Sequence, residues 1–389
     1  MSRTRNPIRL AVVWVVGASV LCATMVVSCA PGPKSATAPS SSSALRPELK
    51  TDTILRDRLF SAIESARTRD LLTTHGFWTV FHGILGLGLS VTLQNPETGQ
   101  KFNALDYIAA GHEVRGLQFI QTKFGLDVRN GYDFVGQGHQ DQFIAEMAQW
   151  GIAADKKFVV NGKDYTYMDF VRHAQMRAKV TSNQELSWAI VVIGQYLGTD
   201  ISWTNGDGEK LTYEDVVRYE LNQPIESPSV ACGGTHRLFG LTWAYYHHLR
   251  NGGRTTGIWK DVVEHSRKYE KLAKKFQNPD GSFSTNHFRE RGNAPDIKAR
   301  ISTTGHILEW LALSLSDQEL REPWVQEAAN SLADMFLTVQ DQEVEGGAMY
   351  HAVHGLILYY ARVYDAERLG PNRPFLPLPP SNTWVSKVP

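Results

Sequence analysis

Gly346-Gly347-Ala348-Met349-Tyr350-His351-Ala352-Val353-His354-Gly355-Leu356 sets glycines, a tyrosine and two histidines at the head of an otherwise apolar stretch. Five earlier stretches open in the same way. They are His75-Gly76-Phe77-Trp78 with His82-Gly83, Gly138-His139-Gln140-Asp141-Gln142, Asn183-Gln184-Glu185 with Trp188, Cys232-Gly233-Gly234-Thr235-His236, and Thr304-Gly305-His306 with Glu309. The anchors His82, His139, Trp188, His236, His306 and His351 are 57, 49, 48, 70 and 45 residues apart. A period near fifty residues marks a closed or stacked repeat array.

Between these openings lie amphipathic segments. Residues 51–72 carry Ile54, Leu55, Leu59, Ile63 and Ala66 among charges, the spacing of a one-faced helix. Residues 75–90 are apolar nearly all round and predict a helix buried on every side. The alternation continues, with amphipathic helices expected near 103–122, 166–180, 212–222, 258–277 and 322–340. Their apolar partners are expected near 138–150, 184–197, 234–249, 304–315 and 347–364.

A second repeat supports the first. Asn103-Ala104-Leu105-Asp106, Thr166-Tyr167-Met168-Asp169 and Thr212-Tyr213-Glu214-Asp215 each pair an N-cap residue with an acid three positions on. A turn-rich segment precedes each one: Asn95-Pro96-Glu97-Thr98-Gly99, Asn161-Gly162-Lys163 and Asn205-Gly206-Asp207-Gly208. These predict short β-hairpins on one rim. The expected fold is therefore all-α, an (α/α)6 toroid of six helical hairpins, three of them decorated with a β-ribbon. An open solenoid is the alternative.

Two motifs carry a family resemblance. Phe276-Gln277-Asn278-Pro279-Asp280-Gly281-Ser282-Phe283 resembles the Gln/Trp-type repeat motif of squalene–hopene cyclases. Gly346 to Leu356 resembles the last inner helix of protein prenyltransferase β subunits. The resemblance implies the terpenoid cyclase/prenyltransferase toroid superfamily over about residues 50–365. It does not carry the chemistry across. The chain has no Asp-x-Asp-Asp run for a protonating cyclase and no Asp-x-Cys partner to join His351 as a zinc ligand. Cys232-Gly233-Gly234-Thr235 also lacks the glutamine of a thioester motif.

The ends read differently from the middle. Arg3, Arg5 and Arg9 precede an apolar run from Leu10 to Val27, and Val26-Val27-Ser28-Cys29 follows, the pattern of a signal peptide over residues 1–28. The junction resembles a bacterial lipoprotein lipobox, which implies cleavage before Cys29 and diacylglycerol on its thiol. An uncleaved anchor and ordinary secretion are the other two readings. Residues 29–49 form a Pro/Ser/Ala tether, 50–370 the toroid, and 371–389 a Pro-rich tail. The protein is thus expected in the cell envelope, periplasmic or on the outer face, held to the membrane by its lipid. The 40 basic and 40 acidic side chains cancel. Loss of the leader's three arginines leaves a net charge of about −3 with no basic block, which argues against nucleic acid as a partner. Cys232 is then the one cysteine inside the domain, so no disulfide framework forms there.

The candidate chemistry lies at the starts of the inner helices. His306 and Glu309, spaced i, i+3, join Tyr350, His351 and His354 as candidate catalytic residues, since histidine with a carboxylate partner suits acid–base work. His82, His139, Asp141, Glu185, Trp188 and His236 are candidate ligand-binding residues. Cys232 reads as a small buried hydrophobe. Histidines and Cys232 could meet across the bore, but with no His-x-x-x-His or Cys-x-x-Cys motif neither a metal nor another cofactor is expected. Three functions stand open: an acid–base enzyme acting on a glycan or isoprenoid-type substrate in the central cavity, a non-catalytic ligand- or protein-binding envelope module, and a purely structural lipoprotein. The leader makes one expectation measurable. Cys29→Ser should abolish incorporation of labelled fatty acid and move the protein from the membrane to the soluble fraction; a labelled, membrane-bound variant would contradict the lipid anchor.

Overall fold

The computed structural model describes residues 50–131, 135–181, 184–226, 230–372 and 374. The expected leader and tether, Cys29 included, lie outside these residues, as does nearly all of the tail. No helix among the described residues is long and apolar enough to cross a membrane.

Twelve α-helices are present among the described residues. They are α1 (Lys50–Arg67), α2 (Phe77–Leu87), α3 (Ala104–Ala109), α4 (Gln142–Ala148), α5 (Tyr167–Arg177), α6 (Ser187–Tyr196), α7 (Tyr213–Leu221), α8 (Thr235–Arg250), α9 (Ile258–Phe276), α10 (Ile297–Ser314), α11 (Pro323–Thr338) and α12 (Gly346–Val363). The even-numbered helices are almost wholly buried, whereas the odd-numbered ones bury one face. In α1 the buried stripe is Leu55, Leu59, Ala62, Ile63 and Ala66. Ile54 falls outside that stripe and is 61% exposed.

The even helices pack in one cyclic order: α2 on α4, α4 on α6, α6 on α8, α8 on α10, α10 on α12, and α12 back on α2. Most odd helices lie across a neighbouring pair of even ones; α5 on α4 and α6, α7 on α6 and α8, α9 on α8 and α10, and α11 on α10 and α12. The backbones of α10 and α12 approach closely. A Cβ on Gly305 would lie 2.5 Å from that of Ala352, and one on Gly355 would lie 2.9 Å from the Glu309 nitrogen. Glycine at both positions lets the two backbones meet. Gly347 does the same where α12 crosses α2, since a Cβ there would be 2.6 Å from the Trp78 ring.

Four two-stranded antiparallel hairpins decorate the helices: β1 (Thr92–Gln94) with β2 (Lys101–Asn103), β3 (Phe119–Thr122) with β4 (Gly125–Val128), β5 (Lys157–Val160) with β6 (Lys163–Thr166), and β7 (Ser202–Thr204) with β8 (Lys210–Thr212). Three of them sit where the turn signals predict. The pair β3–β4 replaces the second half of the helix expected over 103–122, so α3 is only six residues long. Gly125 at φ +139° makes that turn, and the β-prone Phe119-Ile120-Gln121-Thr122 supplies a strand. The predicted caps form. Asn103 accepts from the Asp106 N–H at 2.9 Å. The Asp169 and Asp215 carboxylates accept from the Thr166 and Thr212 N–H groups at 2.7 and 2.8 Å.

The Gln277 segment works as a clasp. Its side-chain amide donates to the Gly281 carbonyl at 2.8 Å and to the Trp324 carbonyl at 2.7 Å, tying the end of α9 to the start of α11. The packing yields a direct test. Gly305→Ala should lower stability by about 1–3 kcal/mol, the usual cost of overpacking a filled contact, read from the urea midpoint. An exposed control such as Lys260→Ala should be close to neutral, and equal midpoints for both would contradict the close contact.

Candidate functional site

The polar openings of the even helices meet in one buried cluster. At its heart the Glu309 carboxylate, on α10, accepts two imidazole hydrogen bonds from α12. His351 Nδ1 donates to Oε2 at 2.8 Å and His354 Nδ1 donates to Oε1 at 2.6 Å. The spacing of His351 and His354, i and i+3, puts both rings on the helix face that meets α10. Both Nε2 atoms are buried with no hydrogen-bond partner among the described residues, and Glu146 Oε1 lies 3.9 Å from that of His351. Burial alone would raise the Glu309 pKa, but the charge and hydrogen bonds of His351, with those of His354, hold it far below the usual carboxylate range.

Other rings adjoin this pair. The His306 ring lies 4.2 Å from His351, with His82 at 5.2 Å and His236 at 5.6 Å from it. His306 Nδ1 donates to the Ser302 carbonyl and His82 Nδ1 to the Trp78 carbonyl, each at 2.7 Å and each one helical turn back. That fixes the tautomer and leaves Nε2 of each ring as an acceptor, which in His82 already takes the Gln142 amide at 3.2 Å. Desolvation drives His82 and His236 well below the ordinary histidine pKa and His306 down to about 3. These three rings are neutral at neutral pH.

Further round, His139 Nδ1 donates to Glu185 at 2.6 Å, and the His139 ring meets His236 edge-on at 4.9 Å. The bond from His139 overrides desolvation and holds Glu185 below its usual pKa. Trp188 lies against His236 at 4.8 Å. His236 is 4% exposed, and neither ring nitrogen has a hydrogen-bond partner among the described residues.

Two candidates stand apart. Asp141 turns to Arg177 on α5 and forms an ion pair there, so its buried carboxylate is a structural tie between helices. Tyr350 packs its ring where Gly86 leaves room on α2, and burial pushes its phenol up to about 12. A tyrosine acting as proton donor would need the opposite shift. The expected His306–Glu309 pairing is also replaced. His306 bonds to its own helix, and Glu309 reaches across to α12.

Glu146 went unnoticed in the sequence. It is fully buried on α4, accepts from Gln142 Nε2 at 2.9 Å, and has Oε1 3.5 Å from His82 Nε2. Desolvation, with Glu309 nearby, raises its pKa well above the carboxylate range. The signal was available, because Glu146 is the one acid in the apolar run from Gln142 to Ala148. Glu220, also buried, accepts from the Leu186 N–H and from Arg237, so it caps α6 and is a positioning group.

Cys232, expected as a small buried hydrophobe, is half-buried. It sits at φ +47° in a left-handed turn with Gly233 and Gly234, a backbone region that costs a non-glycine residue roughly 1–2 kcal/mol. Desolvation, together with Glu185, Glu309 and Glu345, pushes its thiol up to about 12. Three trios bring donor atoms within 4.8 Å of one another: Cys232/His236/His306, His82/Glu146/His351 and His139/Glu185/His236. Metal-ligand spacing thus arises between side chains from two or three neighbouring even-helix segments, where the linear sequence holds no such motif.

A cavity of about 950 Å³ lies elsewhere, between α8, α9 and the segment after α10, lined in part by Tyr245, Arg267, Glu270 and Glu319. No cluster residue lines it. No protein-family model, curated protein or solved structure matches the chain.

The depressed pKa of Glu309 fixes a sign. Its contribution to stability is present above the ordinary carboxylate value of 4.5 and is lost as pH falls. Glu309→Gln should cost about 3 kcal/mol at pH 7, as for other broken buried pairs, and the gap to wild type should narrow below pH 4.5. Urea unfolding across pH 3–7 reads this directly. A gap independent of pH would contradict an ionised Glu309.

Proposed function

We propose that the chain is an exported, lipid-anchored (α/α)6 toroid of the terpenoid cyclase/prenyltransferase kind, and that its central His/Glu cluster is a proton-transfer site. The cyclic packing order of the even helices supports the toroid, as do the rim hairpins and the Gln277 clasp. One observation carries the functional reading. Glu309 holds the Nδ1 atoms of His351 and His354 while both Nε2 atoms stay buried and unpartnered. A carboxylate that orients an imidazole through Nδ1 presents Nε2 as a general base. The neutral ring of His306 extends this acceptor surface, while His82 Nε2 is held by the Gln142 amide. Trp78 and Trp188, packed on His82 and His236, supply apolar walls. Such a centre suits a small neutral substrate with an exchangeable or ionisable hydrogen, a sugar hydroxyl or an isoprenoid-type allylic carbon.

A second reading, a non-catalytic ligand-binding envelope module, has its own support in the 950 Å³ cavity lined by Arg267 and Glu270. Mass spectrometry of small molecules retained by the purified protein separates the two. The proton-transfer reading expects a ligand that is lost in His351→Ala and kept in Arg267→Ala. It also expects turnover of that ligand to fall at least ~100-fold in Glu309→Gln, within the usual range for acid–base groups. Loss in Arg267→Ala with retention in His351→Ala would overturn it in favour of the binding module.

A further inference from the structure

We propose that Cys232, His236 and His306 bind a divalent transition-metal ion of the zinc class. The inference goes beyond the proton-transfer reading and does not depend on it.

The donor geometry comes first. The Cys232 sulfur and one nitrogen from each histidine lie within 4.8 Å of one another. Donor atoms around a tetrahedral zinc are about 3.3–3.6 Å apart, given its bond lengths to nitrogen and sulfur. Side-chain rotations on the order of 1 Å therefore complete the shell.

The second observation is the state of His236. A buried imidazole normally satisfies at least one nitrogen, because an unpaired polar group in a low-dielectric interior is costly. His236 satisfies neither among the described residues, although it is 96% buried. A metal ion bound to either nitrogen halves that deficit. His306 adds the usual outer-shell device: Nδ1 donates to the Ser302 carbonyl, so the Nε2 lone pair faces the cluster in the ligating tautomer.

Each competing trio has a histidine that is engaged already. His82 Nε2 accepts from the Gln142 amide at 3.2 Å, and that amide also donates to Glu146. His139 is committed to Glu185. No described hydrogen bond engages the Cys232 sulfur or His306 Nε2. Cys232 and His236 are spaced i, i+4 across the first turn of α8, and the left-handed turn through Gly233 and Gly234 sets the thiol at the head of that helix.

One thiolate with two imidazoles selects zinc-class ions over magnesium or calcium, which prefer oxygen. On binding, the sulfur–hydrogen bond breaks, its proton passes to solvent, and the sulfur lone pair forms the bond to the metal. Three protein ligands leave a fourth position for water or substrate, the pattern of catalytic sites and not of closed structural ones.

The test uses the full chain, purified in detergent, with zinc and cobalt(II) as probes. We expect one zinc per chain by calorimetry and a sulfur-to-cobalt charge-transfer band in the near-ultraviolet. Cys232→Ser should remove the band and weaken zinc binding at least 100-fold, and His236→Ala and His306→Gln should weaken it comparably with the circular dichroism spectrum unchanged. Glu146→Gln and Glu309→Gln should leave binding intact; since Glu309→Gln disables the proton-transfer centre, failure of that reading and failure of this one are distinguishable. Absence of zinc binding by the wild-type chain would overturn the proposal, as would a cobalt band that survives Cys232→Ser or zinc affinity unchanged in His236→Ala.

Discussion

Glu309 is the constraint around which the centre of the molecule is arranged. A carboxylate removed from water costs several kcal/mol unless it is paired and hydrogen-bonded, and its partners here come from one neighbouring helix. His351 and His354 satisfy one oxygen each, so α12 must lie against α10 within the tolerance of two hydrogen bonds. Gly305 and Gly355 permit that approach. The rings of His306, His82 and His236 lie beside His351, with His306 and His82 oriented by their own helix carbonyls. A charge buried on one helix thereby positions two side chains on its neighbour.

Much of the fold was legible because its signals are local. Helical periodicity marked out the helices, and the caps at Asn103, Thr166 and Thr212 lie within four residues of the groups they satisfy. Hairpin turns carrying Asn-Gly announced themselves. The β3–β4 turn at Lys123-Phe124-Gly125 did not, since it lacks that signature and its strand residues also fit an amphipathic helix. The cyclic packing order rests on contacts between distant segments, for which the fifty-residue period was only indirect evidence.

The site was legible as a set and illegible as a set of pairs. Residue type and position at the helix starts singled out His82, His139, Glu185, His236, His306, Glu309, His351 and His354, and all of these lie in the cluster. Spacing on one helix suggested His306 with Glu309, but the His306 ring is satisfied by the carbonyl one turn back on its own helix. The carboxylate is then left for the neighbouring helix. Asp141 was drawn away by Arg177, a partner 36 residues distant, and Tyr350 packs against Gly86 on α2. Glu146 was hidden by its apolar surroundings, the very feature that makes it chemically unusual.

The central claim is that the buried histidines carry their proton on Nδ1 and keep Nε2 as an acceptor, whether for a substrate proton or for a metal. Nitrogen-15 NMR of the imidazole groups at neutral pH measures this ring by ring. The account predicts the Nδ1–H tautomer for His82 and His306, and Nδ1-protonated rings for His351 and His354. Nε2–H tautomers at these positions would contradict it, since their lone pairs would then face the helix carbonyls and Glu309, and the centre would have no acceptor to offer.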